Sequence, residues 1–326
     1  MPLVSVVICA YTEARWDELV ACVKSVQQQT VSPLEIIIVI DHNSALLERV
    51  RARIPGAVVV ANTEPRGLAG ARNSGVAAAR GEVIAFLDED STAAPDWLAR
   101  ISAGYAGQVI GVGGAIVPVW LAGRPRWFPT EFDWVVGCTF LGMPETSSRV
   151  RNLIGCNMSF QRQTFDQVGG FTSGIGRVGT RPVGCEETEF CIRTRQHSPK
   201  SELLFDAQAR VYHQVPPSRA TLTYFCSRCY AEGLSKALVS RLVGAQDGLA
   251  SERTYTMQVL PRGVVRGLAD TLLRRDPFGL ARAGAIVAGL ALTTAGFLIG
   301  TVSGAWAKRL QDSKTGSLAL SKSVDV

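Results

Sequence analysis

The run Val83–Leu87 ends abruptly on three acids, Asp88, Glu89 and Asp90, within VIAFLDEDSTAAPDWL. An unbroken apolar run of this length, opening after Gly81, predicts a strand buried on both faces, as in a parallel sheet. Such a strand delivers its acids to the carboxyl edge, where open α/β sheets bind ligands. If the extended conformation continues, Asp88 and Asp90 point the same way. Carboxylates this close repel one another unless a cation sits among them. Oxygen donors suit Mg²⁺ or Mn²⁺, ions that also hold phosphates. The competing reading is a cap cluster for a helix starting near Pro95, since acids favour helix starts.

The segments around this run alternate. Leu3–Ala10, Leu34–Ile40 and Ala57–Ala61 are apolar and β-branched, hence strands. Between them, Asp17–Gln29 places Leu19, Val20, Val23 and Val26 on one helical face, and a second helix runs to about Arg53. Asn62–Gly75 is a Gly-rich turn entering a helix that ends at Gly81. This order predicts βαβ units and an α/β fold, a mostly parallel sheet flanked by helices. Residues 1–100 form the nucleotide-binding half and 101–242 the second half of the same domain. In that second half, Gly111–Trp120 reads as a strand and the aromatic, Pro-rich Arg124–Arg149 as a loop covering the site. A short strand (Ile154–Phe160) and a short helix (Arg162–Val168) follow. Helix Cys185–Arg195 opens on Glu186 and Glu187, strand Leu203–Tyr212 delivers His213, and Ala220–Leu242 is an aromatic-basic helix able to lie on a membrane and face an acceptor.

Charged residues make up only 19% of the chain, which directs attention to membrane segments. From Ala283 to Ala307 there is no charged residue, a stretch long enough to cross a bilayer. Gly296, Gly300 and Gly304, spaced four apart, predict a small-residue face for a homodimer. Residues 243–282 are a helical juxtamembrane region and 308–326 a disordered polar tail. Basic residues flank the span on both sides and lean towards a cytoplasmic catalytic domain at the cell membrane. The net charge of +6 lacks the clustered basic stripe of a nucleic-acid binder. The eight cysteines are scattered, several of them within apolar runs, the usage of a reducing cytosol; Cys226 and Cys229 have redox or zinc spacing but no second pair. No basic region precedes the first strand, so no secretory leader is expected.

SVVICAYTE, IIIVIDHNS, RGLAGARNSG, AFLDEDSTAAPDWL, GCNMSFQRQTFDQVGGF, GCEETEFCIR and VYHQVP follow one another in a familiar order. From Pro2 to about Leu242 the chain resembles inverting family 2 glycosyltransferases of the GT-A fold, including members that extend lipid-linked glycans. The resemblance implies a nucleotide-diphosphate sugar donor, UDP-glucose or UDP-glucuronate, and a lipid-linked or polysaccharide acceptor. It puts Thr12 and Glu13 at the base and ribose, Asp41 at the base, Arg72 at the diphosphate and Asp88 at the ribose or sugar. Arg66 and Glu89 join this donor group. Asp90 and His213 would hold Mg²⁺ or Mn²⁺. Glu187 would be the catalytic base, with Glu186 supporting it or touching the acceptor. Trp127, Trp134, Asn157, Arg177, Arg181 and Arg228 are the acceptor-side candidates. Two positions depart from the family pattern: Asp41-His42 replaces Asp-Asp, and Glu186-Glu187 replaces Glu-Asp. The alternative is a catalytically inactive, membrane-attached nucleotide-sugar module. A nucleotidyltransferase would show a Gly-rich loop with Lys after the first strand, and a dinucleotide enzyme would show GxGxxG there; Tyr11-Thr12-Glu13 is neither.

Overall fold

Side-chain alternation along the strands divides the core into two layers. In the computed structural model, which describes residues 1–177, 184–244 and 253–303, β1 (Val4–Ala10) is buried along its whole length. Val4, Val6, Ile8 and Ala10 face α1 (Trp16–Gln27) and α2 (Ser44–Arg53), meeting Leu19, Val23 and Val50. Val7 and Cys9, with Ile37 and Val39 of β2 (Glu35–Ile40), face the opposite layer and meet Ala69 and Ala71 of α3 (Leu68–Ala78). A strand clothed by helices on both faces carries no polar alternation, which is why its sequence is a continuous apolar run.

β1, β2, β3 (Val58–Ala61) and β4 (Val83–Asp88) pair in parallel, in the order β3-β2-β1-β4. Beyond β4 the sheet becomes mixed. β8 (Asn157–Gln161) runs antiparallel to β4 and to β6 (Val109–Trp120), and β6 runs parallel to β9 (Glu202–Val215). Two short strands complete the nine, β5 (Ser91–Ala93) and β7 (Ser148–Val150), both antiparallel to β9. Residues 1–100 and 101–242 thus share one continuous sheet.

β5 determines where the acids go. Instead of capping a helix, Glu89-Asp90 turn the chain so that Ser91 pairs with His213, and Gln214 N–H donates to the Asp90 carbonyl at 2.9 Å. The extended geometry expected for Asp88 and Asp90 is therefore broken: β4 stops at Asp88. The next helix, α4 (Trp97–Ala103), starts beyond Asp96, whose side chain bonds Arg100 at 2.6 Å.

α5 (Arg162–Val168) and α6 (Glu186–His197) cover the β8 side, where Phe165, Phe171 and Phe190 pack with Phe86 and Phe160. Arg124–Arg149 holds the 3₁₀ segment Thr130–Val136 and the start of β7. α7 (Leu222–Val243) is packed into the molecule rather than laid on its surface: Phe225 is fully buried among Trp127, Phe128 and Phe132.

A π-helical turn (Tyr255–Val259) leads into α8 (Leu260–Leu273), which folds back against α9 (Phe278–Val302). α9 is the one described helix long and apolar enough to cross a membrane. It begins at Phe278, before the charge-free run. Its small-residue face is already occupied within the chain, which corrects the dimer expectation for Gly296 and Gly300. A Cβ at Gly296 would collide with the Tyr230 carbonyl, and one at Gly300 would press on Ala237, both of α7. Gly304 and the 308–326 tail lie outside the described residues.

Candidate active site

The carboxyl edges of β1, β2 and β4, the start of α6 and the inner faces of α7 and α9 enclose a cavity of about 670 Å³. That is the size of an ordinary small-molecule site. At its centre lies the acid turn. Asp88 receives Arg72 Nη2 at 3.3 Å, and Glu89 receives Arg15 Nη1 at 2.7 Å. Asp90 meets His213 Nε2 at 3.3 Å, Arg219 Nη2 at 3.4 Å and Arg15 Nη1 at 3.1 Å. The repulsion implied by three adjacent acids is thus relieved by protein cations.

Burial pushes the Asp90 carboxyl up, but His213, Arg219 and Arg15 outweigh it and hold the group well below the usual carboxylate range. Glu89 moves the other way, raised by burial and by the adjacent Asp90.

Arg72 joins this turn to the far wall. It is 2% exposed, donates to Glu186 Oε1 at 2.6 Å and to the Gly155 carbonyl at 3.1 Å, and lies against the rings of Phe86 and Phe171. One guanidinium therefore spans from β4 to the first turn of α6. Beside it, Glu187 lines the cavity. Burial, then the neighbouring Glu186, raises the Glu187 carboxyl to about 8, although Arg72 opposes the shift. A carboxylate with this affinity for protons is matched to general-base work near neutral pH.

Asp41 lines the cavity beside the Gly-rich turn. Its carboxylate accepts from Asn62 Nδ2 at 2.6 Å and from Gly67 N–H at 3.0 Å. Gly67 has φ of 129°, a region that side-chain-bearing residues rarely adopt, so the Gly-rich turn is fixed through Asp41. Arg177, whose carbonyl accepts from Leu68 N–H at 2.9 Å, gathers with Arg219 and Arg228 around Tyr224, whose hydroxyl accepts from Arg177 at 3.5 Å. Burial would raise that phenol, and the three guanidiniums outweigh it and lower it.

Asp41, Arg72, Asp88, Glu89, Asp90, Glu186, Glu187, His213, Trp134, Arg177 and Arg228 all line this cavity. Five expected residues do not. Thr12 caps a 3₁₀ turn by accepting from Ala14 N–H, and Glu13 is exposed, 3.6 Å from Arg49. Arg66 donates to the His42 carbonyl on the surface. Trp127 packs on Phe128 and Phe225 in the core. Asn157 is fully buried and ties three strands together, accepting from Trp97 Nε1 and donating to the Ala115 and Ala209 carbonyls. Arg181 lies outside the described residues. Residues not singled out from the sequence, Arg15 and Arg219, hold Asp90. An acid triplet demands cations, and an Arg just past the first strand was the available signal for Arg15.

Asp90 and His213 are the pair that could take a metal ion. No three His, Cys, Asp or Glu side chains gather as one cluster among the described residues. A carboxylate and an imidazole 3.3 Å apart would offer oxygen and nitrogen donors to Mg²⁺ or Mn²⁺, with Arg219 Nη1 also 3.3 Å from the same His213 nitrogen.

A parallel half-sheet with its acid turn at the carboxyl edge, extended by a mixed half that carries a second acid pair, defines a GT-A fold. The mannosyltransferase from Pyrobaculum calidifontis, solved with GDP-Man and Mn²⁺, superposes with a TM-score of 0.56 at 18% identity, over 90% of this chain and 87% of that one. The chain belongs to glycosyl transferase family 2, whose profile matches residues 5–169. It is 36% identical over 244 residues to the glucosyl-dolichyl phosphate glucuronosyltransferase of Haloferax volcanii, covering 73% of this chain and 78% of that protein. It is 24% identical over 295 residues to the succinoglycan biosynthesis protein ExoM of Rhizobium meliloti, covering 80% and 91%. This protein is a glycosyltransferase.

Proposed function

We propose that this enzyme moves a sugar from a UDP-sugar to a hydroxyl of a lipid-linked acceptor, with inversion, and that Glu187 is the base. The observation carrying this reading is the pairing of opposites in one cavity: Asp90 held ionised by cations, and Glu187 raised towards neutrality. Asp41 and the turn it fixes bound the nucleotide end. Asp90 and His213 would hold Mg²⁺ or Mn²⁺, which when bound neutralises charge on the departing diphosphate. Arg15 and Arg219 add fixed positive charge to the same place.

Glu187 accepts the proton of the acceptor hydroxyl as its oxygen attacks the anomeric carbon. The bond from that carbon to the diphosphate breaks with its electron pair leaving on the nucleotide side, so configuration inverts. Glu186, bound to Arg72, positions Glu187 at the start of α6. Trp134 and Phe132 wall the site against water.

The donor we infer is UDP-glucuronate. Arg177 offers a fork for a sugar carboxylate, and the Haloferax volcanii relative is a glucuronosyltransferase. Eight free thiols support a cytosolic catalytic domain at the cell membrane. A thermal-shift screen tests the donor side: UDP is expected to raise the Tm only with Mn²⁺ present, and to lose that dependence in His213→Ala. Absence of any response to UDP or GDP, with or without metal, contradicts the reading.

A further inference from the structure

α8 and α9 each carry an apolar stripe that the catalytic body leaves uncovered. On α8 it is Val265, Leu268 and Leu272, the last 79% exposed; on α9 it is Leu280, Val287, Leu298 and Val302. Spacings of three to four residues, or whole turns, place each set on one side of its helix. The opposite side of α9 is seated on the enzyme. Gly289 lies against the Phe132 ring, Gly296 against the Tyr230 carbonyl and Gly300 against Ala237. From Gly289 to Gly300 that contact follows about 17 Å of helix axis.

We propose that the α8–α9 hairpin lies along an anionic membrane surface and does not cross it. A crossing α9 would drag its neighbour α7 to the same depth, with Glu232 and Lys236 between Tyr230 and Ala237. Charges in the hydrocarbon are costly, and these belong to the wall of the reaction cavity. Lying flat removes the conflict. The exposed stripes enter the boundary of headgroups and acyl chains while the charged wall stays outside it.

Charge complementarity selects the lipid. From Arg253 to Ser303 there are six arginines and two aspartates. Asp270 and Asp276 are both engaged by Arg282, leaving a basic excess, and Arg262, Arg274 and Arg275 are exposed. The same two elements form part of the cavity wall through Leu260, Leu290, Thr293 and Phe297. A lipid-linked acceptor would then reach Glu187 from the leaflet on which the enzyme rests, a consequence that relies on the acceptor proposed above; the anchoring does not.

Two measurements on the full chain decide the matter without any sugar transfer. The first places one epitope tag before Met1 and another after Val326, and treats sealed inverted membrane vesicles with protease. Loss of both tags together is the expected result; a protected C-terminal tag overturns the proposal, because α9 then crosses. The second compares vesicles of equal parts phosphatidylglycerol and phosphatidylcholine with vesicles of phosphatidylcholine alone. Stronger binding to the anionic vesicles is expected, with Leu272→Asp and Val287→Asp each weakening it about tenfold or more. Both side chains are exposed, so the variants are expected to fold, and unchanged thermal melting confirms it. Binding unaffected by either change, or a dimer that Leu272→Asp dissolves without altering vesicle binding, overturns the proposal.

Discussion

Two carboxylates share one cavity and are treated oppositely. Asp90 is ringed by His213, Arg219 and Arg15, and stays ionised. Glu187 is half-buried beside a like charge, where the already engaged Arg72 and a backbone hydrogen bond do not outweigh desolvation and Glu186, and it is raised to about 8. Both are acids at the start or end of a regular element, so the type of residue does not set its role. The partners brought by distant segments do. Environments that push two titratable groups apart divide the work between a fixed charge and a proton acceptor.

The hardest blow to this contrast is Glu187→Gln. It keeps the size of the side chain and removes the base, so kcat falls about 10²- to 10⁴-fold while donor binding by calorimetry is nearly unchanged. A comparable loss of donor affinity would make Glu187 a binding residue. Next is Arg72→Met, which leaves Glu186 and Asp88 without their shared cation. Removing one partner of a buried pair costs about 3–5 kcal/mol, read from the urea midpoint. A loss under about 1 kcal/mol would show that the bridge between the two poles is incidental.

Stability against pH sharpens the comparison further. Glu187 has a folded pKa above its unfolded one, so its contribution is full below the unfolded value and is lost as pH rises through about 8. Asp90, with a depressed pKa, contributes above its unfolded value and loses that contribution as the pH falls through the folded one. Urea midpoints of Glu187→Gln should therefore decline less than those of the wild type between pH about 5 and pH about 8, whereas Asp90→Asn should flatten only the acid limb. The smallest effect belongs to Glu13→Ala. Its carboxylate is exposed, 3.6 Å from Arg49, and the donor KM should change by less than about threefold. A larger change would put Glu13 back on the donor.

The parallel half was readable because burial on both faces writes itself as unbroken apolar runs. β4 and its acids are the clearest case. The turn at Glu89 was not readable, since β5 has only three residues and shows no period of its own. That strand pairs with the one carrying His213 and so brings His213 and Arg219 to Asp90; of the residues around Asp90, His213 was singled out from the sequence and Arg15 and Arg219 were not. Trp127 misled because an aromatic-rich segment does not reveal which ring enters the core. Gly296 and Gly300 announced a close helix contact correctly, but spacing cannot name the partner, and the fold supplied α7. Glu186 and Glu187 were placed by motif order. The ion pair that binds Glu186 to Arg72, 114 positions away, was not legible.

The pH dependence of kcat/KM, measured with wild type and with Glu187→Gln, bears on the base most directly. The wild type should show a rising limb governed by a group of pKa about 8, and the variant's residual activity should lack it. The same limb in both proteins would assign the proton to another group and remove Glu187 from the reaction.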